Sequence, residues 1–169
     1  MLLAIGEFMS IANAVSVSLS ELVDSLNEDL TREYSHMQYY LHASIVVSGL
    51  HREEFSEMFQ AEAQSEMGHV AQFANLIQGL GGKPGTKVAP FETGITDPLK
   101  LIEEAMNMEK EVVANYVDRM DDAVRLQENG GDDKVHGRYI EIFLEDQISH
   151  SREDIDNYRK MLGREKYSY

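Results

Sequence analysis

Phe59-Gln-Ala-Glu62-Ala-Gln-Ser-Glu66-Met67-Gly-His69-Val-Ala-Gln-Phe73 is the stretch on which the reading of this chain turns. Phe59, Glu62, Glu66, His69 and Phe73 step by three, four, three and four residues, the spacing that puts side chains on one face of an α-helix. The two phenylalanines mark that face as buried. Two carboxylates and an imidazole therefore share a core stripe, where an isolated charge is costly unless it is protonated, paired or given to a metal ion.

Outward from this stretch, the same conflict recurs on three other helical patterns. A first helix opens at Ser18 with Glu21 three residues on, a capping-box pattern, and runs to about Val47. Leu22, Leu26, Leu30, Met37, Tyr40 and Leu41 form its apolar stripe, and Glu33 falls among them. The second helix, carrying the stretch above, runs from about His51 to Leu80 and stops at glycines. A third begins at Asp97-Pro98, an N-cap followed by proline, and reaches about Gln127, with Glu109 between Ile102/Met106 and Val113/Tyr116. The fourth follows Asn129-Gly130-Gly131, runs from about Asp132 to Leu162, and offers Ile140, Phe143, Gln147, His150, Asp154 and Tyr158.

The connections set the topology. Ser48-Gly49-Leu50 and Asn129-Gly130-Gly131 are too short for anything but antiparallel hairpins. Gly81 to Thr96, with Pro84 and Pro90, is neither helix nor core; extended at ~3.3 Å per residue it spans ~50 Å, enough to run along a thirty-residue helix of ~45 Å. A mobile linker is the other reading of such a loop. Short, long, short connections describe an all-α four-helix bundle of two antiparallel hairpins joined by a long crossover between the second and third helices. Counting residues from the helix ends places Glu33, Glu66, Glu109 and Gln147 at one level of that bundle.

Composition narrows the chemistry. The 169 residues suit one domain, read as 18–163, with 1–17 an extension whose first eight residues fit either a vector-derived leader or native sequence, and 164–169 a tail. Thirty acidic against fifteen basic residues give a net charge of −15, which repels nucleic acid and attracts cations. No cysteine is present, so thiolate sites and disulfides are excluded and any metal must use oxygen and imidazole ligands. No stretch approaches the ~20 apolar residues of a membrane span; a soluble, cytoplasmic protein is expected.

The halves also echo each other. Glu33 with Tyr40 seven residues on, then Glu66-x-x-His69, is followed by Glu109 with Tyr116 seven residues on, then Gln147-x-x-His150. A glutamate from each of two helices and a Glu-x-x-His from each of the others is the ligand set of dinuclear carboxylate bundles.

At these residues the chain resembles the ferritin and bacterioferritin family. The stretches are Leu26-Asn27-Glu28-Asp29-Leu30 with Glu33-Tyr34 and Tyr40-Leu41, Glu62-x-x-x-Glu66-Met67-x-His69, and Met108-Glu109-Lys110. The resemblance implies a ferritin-like bundle with a ferroxidase centre that oxidises Fe(II) with O2 or H2O2. Glu33, Glu66 and His69 would hold one iron, Glu66, Glu109 and His150 the other, with Glu66 bridging and Tyr40 beside the centre as a hydrogen-bonding or redox-active residue. Gln147 stands where bacterioferritins bridge with a second glutamate, which implies weaker hold on the second iron; Asp146 is the alternative if the fourth helix is turned.

Met67 occupies the place of the bacterioferritin haem b ligand, against the plainer reading of interface packing. His36 reads as a surface or hydrogen-bonded histidine, with a third metal position as its alternative. Glu62 and Asp154 either guide iron or complete local ion pairs. Only seven residues follow Leu162, too few for the fifth helix of 24-subunit shells. A hollow homo-oligomer of twelve subunits, as in the Dps-like proteins, is therefore favoured over twenty-four. The competing functions are a rubrerythrin-like di-iron peroxidase or oxidase that stores no mineral, and a non-enzymatic bundle with a vestigial site.

Overall fold

The computed structural model describes residues 16–164. It consists of four helices: α1 (Leu19–Val46), α2 (Arg52–Gly79), α3 (Pro98–Gln127) and α4 (Gly131–Met161). The start of the N-terminal extension and the last residues of the tail lie outside the described range. Among the described residues no helix is long and apolar enough to cross a membrane.

The local signals act as their chemistry requires. Ser18 Oγ accepts from the Glu21 amide and Glu21 reaches back to the Ser18 amide, so both partners of the capping box are engaged. Asp97 caps α3 through the Lys100 amide at 3.0 Å, with Pro98 at the first helical position, where its missing N–H costs nothing. α1 packs on α2, α3 on α4, and α1 on α3. Gly137 lets α4 approach α3 closely: a Cβ there would press into the Ala123 carbonyl and the Gln127 side chain.

The crossover is fastened along α1 and is not a loose linker. The Gly85 amide donates to Asn27 Oδ1 at 2.7 Å, and the Ala89 amide to Ser35 Oγ at 2.8 Å. His42 Nε2 meets the Thr93 carbonyl at 3.1 Å, and the Ser48 amide donates to the Thr96 carbonyl at 2.9 Å. From Asn27 to Ser48 the helix rises ~32 Å, while the strap from 85 to 96 covers the same distance at nearly full extension. This holds the strap against α1 along its length.

Two apolar clusters fill the bundle. One gathers Leu26, Leu30, Phe73, Ile77, Leu126 and Ile140; the other gathers Tyr39, Tyr40, Phe59, Ile102, Met106 and Tyr158. The polar residues sequence reading assigned to one level, Glu33, Glu66, Glu109 and Gln147, are all buried in the same bundle.

Candidate metal centre

Glu33, Glu66 and Glu109 are 2%, 3% and 2% exposed. Their ligand atoms fall into two groups within 4.8 Å of one another: Glu33, Glu66 and His69, and His36, Glu66 and Glu109. Glu66 belongs to both.

Each hairpin holds the other's glutamate. Tyr40 Oη donates to Glu109 Oε1 at 2.9 Å, and Tyr116 Oη donates to Glu33 Oε1 through a short hydrogen bond. The tyrosine seven residues beyond the glutamate on α1 thus serves the glutamate on α3, and the reverse. Burial, with the adjacent carboxylates, raises both phenols well above their ordinary value, so they remain protonated donors. Tyr158 Oη donates in turn to Tyr40 Oη at 2.9 Å.

The electrostatics are those of a site built for cations. Burial and the neighbouring Glu66 push Glu33 up to about 8; burial and Glu109 push Glu66 up to about 8. Burial also opposes charge on Glu109, but His36 and hydrogen bonds from His36, Tyr40 and Ser151 outweigh it and hold this carboxyl below its usual range. On His36 burial opposes the charged form, and Glu109 at 3.2 Å, with Glu66 and Glu33, overcomes it and raises the imidazole to about 9. Without metal, two carboxyls are therefore neutral at pH 7 and one is paired with an imidazolium.

One atom tests whether the residues fit a metal ion. Glu33 Oε2 is buried with no hydrogen-bond partner, and His69 Nδ1 lies 3.6 Å away, too far to supply one. A buried carboxyl oxygen that receives no hydrogen bond is costly once it is ionised, and here it belongs to a glutamate–imidazole group whose spacing suits a shared ion. The donor set is oxygen with imidazole, suited to iron or manganese.

The fourth helix departs from the expected pattern. Gln147 is 2% exposed and Asp146 is exposed, so the register that places Gln147 inward is the observed one. Its amide, however, donates to Gln72 Oε1 at 2.8 Å. The inward line of α4 passes through Leu144, Gln147, Ser151, Ile155 and Tyr158, leaving His150 exposed at the rim with its ring stacked parallel on His69, centroids 5.6 Å apart. The structure thus gathers Glu33, Glu66, His69 and Glu109, with Tyr40 bonded to Glu109, and places His150 outside the two groups, while Gln147 is buried at the same level with its amide nitrogen on Gln72. Met67 is 58% exposed on the outer side of α2.

Sequence reasoning underweighted His36, which is 4% exposed. The signal lies in the spacing: Asp29, Glu33, His36 and Tyr40 step by four, three and four, the same rule that singles out α2, although the neighbouring Met37 is the more apolar residue. Asp29, fully buried, was missed too; Arg119 at 2.9 Å and Arg32 at 3.2 Å pair it, so this inward carboxylate is answered within the chain. Glu62 and Asp154 flank the centre, where burial and then Glu109 raise both, Asp154 to about 7.

Residues 23–166 match the model of the ferritin-like domain. The chain belongs to the ferritin-like family. Among solved structures, this ferritin-like chain resembles a ferritin-like diiron-carboxylate protein from Bacillus anthracis, with a TM-score of 0.74 and 28% identity over 85% of this chain and 96% of that one. It also resembles the bacterioferritin of Rhodobacter capsulatus, with a TM-score of 0.71 and 19% identity over 85% and 84% of the two chains. A Dps protein from Bacillus brevis gives a TM-score of 0.74 and 14% identity over 85% and 96%. The last two likenesses concern the fold alone. No curated protein sequence matches the chain.

Proposed function

We propose that this ferritin-like protein is a ferroxidase that oxidises Fe(II) at a dinuclear centre within each subunit and stores the product in a hollow homo-oligomer. The observation that carries the proposal is the buried, unpartnered Oε2 of Glu33, set in a cage where Glu66 is shared between two groups of ligand atoms. Glu33, Glu66 and His69 would hold one ferrous substrate ion, and Glu66 with Glu109 the second. The diiron-carboxylate description of the Bacillus anthracis relative supports iron as the metal.

The balance is simple. Two Fe(II) lose one electron each; H2O2 with two protons leaves as two waters, or O2 with two protons leaves as H2O2. The chain's residues supply the rest. Glu33 and Glu66 release protons when a cation arrives, because a ligand must be deprotonated. Tyr40 and Tyr116 fix the outer oxygens of Glu109 and Glu33, which orients them toward the ions. Glu62 and Asp154 stand beside the cage as carboxyls held toward the neutral form by burial and Glu109, and an arriving cation favours their ionised form. We place the protein in the cytoplasm, a reading supported by its membership of the ferritin-like family.

The experiment is aerobic ferrous oxidation, followed at the ferric absorbance, on size-separated wild-type protein beside Glu66→Ala. Fast oxidation on a large particle that retains iron, lost in the variant, is the expected result. Equal rates in the two proteins would remove the centre from consideration. Fast oxidation by a small oligomer that retains no mineral would replace storage with a peroxide-reducing role.

A further inference from the structure

The second ion position has two glutamates but, at the place where the echo between the halves predicts a nitrogen ligand, His150 is exposed at the rim. The buried imidazole at that position is His36, from the opposite side of the bundle. Its Nδ1 lies 3.2 Å from Glu109 Oε1, it is 4% exposed, and its ligand atom falls within 4.8 Å of those of Glu66 and Glu109. The equivalent position on α3, three residues beyond Glu109, is the apolar Val112, so nothing in the duplicated pattern requires a histidine here.

His36 also borders a cavity of about 160 Å³ beneath the crossover, lined by Arg32, Ser35, Phe91, Glu104 and Met108 among others. That volume accommodates several waters at ~30 Å³ each. The crossover is held over it by the Ser35 hydroxyl, which bonds both the amide and the carbonyl of Ala89. Among the residues that line this cavity, His36 carries the only imidazole.

We propose that His36 is the nitrogen ligand of the second ion, in place of His150, and that this ion is approached from the cavity beneath the crossover. The inference rests on the dinuclear reading above and specifies one of its ligands. Binding at this position exchanges the His36–Glu109 ion pair for two bonds to a cation, with release of the imidazole proton.

The test uses Co(II), which occupies ferrous sites without being oxidised by air, added to the full-length oligomer. Stoichiometry comes from equilibrium dialysis, and the number of imidazoles per ion from X-ray absorption at the cobalt edge. Wild type should bind about two Co(II) per chain, with about one imidazole per ion. His36→Gln, which keeps a polar partner for Glu109, should weaken the second ion by roughly a hundredfold and halve the imidazole count at forced loading. His150→Ala should change neither. If His36→Gln keeps both ions with the imidazole count intact, or His150→Ala loses the second ion, His36 is not the ligand and the proposal is overturned. If Glu66→Ala still binds both ions, the dinuclear reading itself fails, whatever His36 does. Helix content by circular dichroism, unchanged in each variant, separates lost ligation from lost folding.

Discussion

The two hairpins are built on one plan and equipped differently. In each, a glutamate is followed seven residues later by a tyrosine that donates to the glutamate of the other hairpin, Tyr40 to Glu109 and Tyr116 to Glu33. At the centre itself the likeness ends. The first hairpin brings Glu33, His36, Glu66 and His69 to the centre; the second brings Glu109, while Gln147 bonds Gln72 and His150 lies against the outside of His69. Two outer positions of α2 and α4 still match: Phe73 meets Phe143 edge to face, and Glu62 and Asp154 are both acids raised by burial and by Glu109. Fold symmetry governs where backbones run and which level carries the polar residues. It leaves the contacts of each side chain at that level to local packing.

The largest expected effect is on activity. Glu66→Ala should lower the initial rate of ferrous oxidation by about a hundredfold or more, since it removes the carboxylate common to both groups, whereas Gln147→Ala should cost no more than about fivefold. Comparable losses in the two variants would mean that the hairpins contribute equally after all.

Next comes the apolar region against the polar layer. Phe73 is fully buried between Tyr116 and Phe143, and Phe73→Ala should cost about 3–5 kcal/mol in chemical denaturation. Glu33→Gln should move the other way. Replacing an unpartnered buried carboxyl with an amide should stabilise the metal-free protein by about 1 kcal/mol while abolishing oxidation. A Glu33→Gln protein that is less stable than wild type would show that this oxygen has a partner in solution.

The polar layer also sets a pH dependence whose sign can be worked out. Glu33 and Glu66 titrate at about 8 in the folded chain against a reference of 4.5, and His36 at about 9 against 6.5. Folded protein therefore keeps protons that the unfolded chain has released. This contribution to stability is full below the unfolded values and is lost as pH rises through 8 to 9. Glu109, lowered below 4.5, acts in the opposite sense, and its contribution disappears only in more acid solution. Metal-free protein should lose about 5–10 °C of melting temperature between about pH 5 and pH 9, and metal loading should cancel the loss and release protons. Calorimetry with and without Co(II) checks both.

The smallest effect concerns the strap. Ser35→Ala removes the hydroxyl that fastens Ala89 and should cost about 1 kcal/mol, with a modest change in ferrous oxidation if the cavity beneath the crossover admits the ion. An unchanged rate would uncouple the strap from access.

Much of the centre was legible because helical periodicity is a local rule. Ser18 with Glu21, Asp97 with Pro98, and the three-and-four spacing of Glu62, Glu66 and His69 act over one or two turns, and each did in the fold what its chemistry predicts. His36 reads from the sequence as a surface or hydrogen-bonded histidine; it is hydrogen-bonded, to Glu109, and buried, because the same spacing places it on the inward face. His150 was expected inward by analogy with His69, since both stand three residues beyond an inward position. Periodicity does not decide between neighbours such as His150 and Ser151, which lie ~100° apart around the helix.

By itself, then, the sequence determined four helices, two hairpins, a strap long enough to cross between them, and a buried level bearing carboxylates that an acidic chain can balance with cations. Each of these follows from local spacing, capping and charge. Only the tertiary structure decided which side chains meet at that level: that Tyr40 and Tyr116 cross between hairpins, that Arg119 answers Asp29, and that Ser151 bonds Glu109 while His150 stacks on His69 at the exposed rim. The reason is rotational. A helix's turn about its own axis is fixed by packing against its neighbours, and a few tens of degrees move a residue from the interior to the rim.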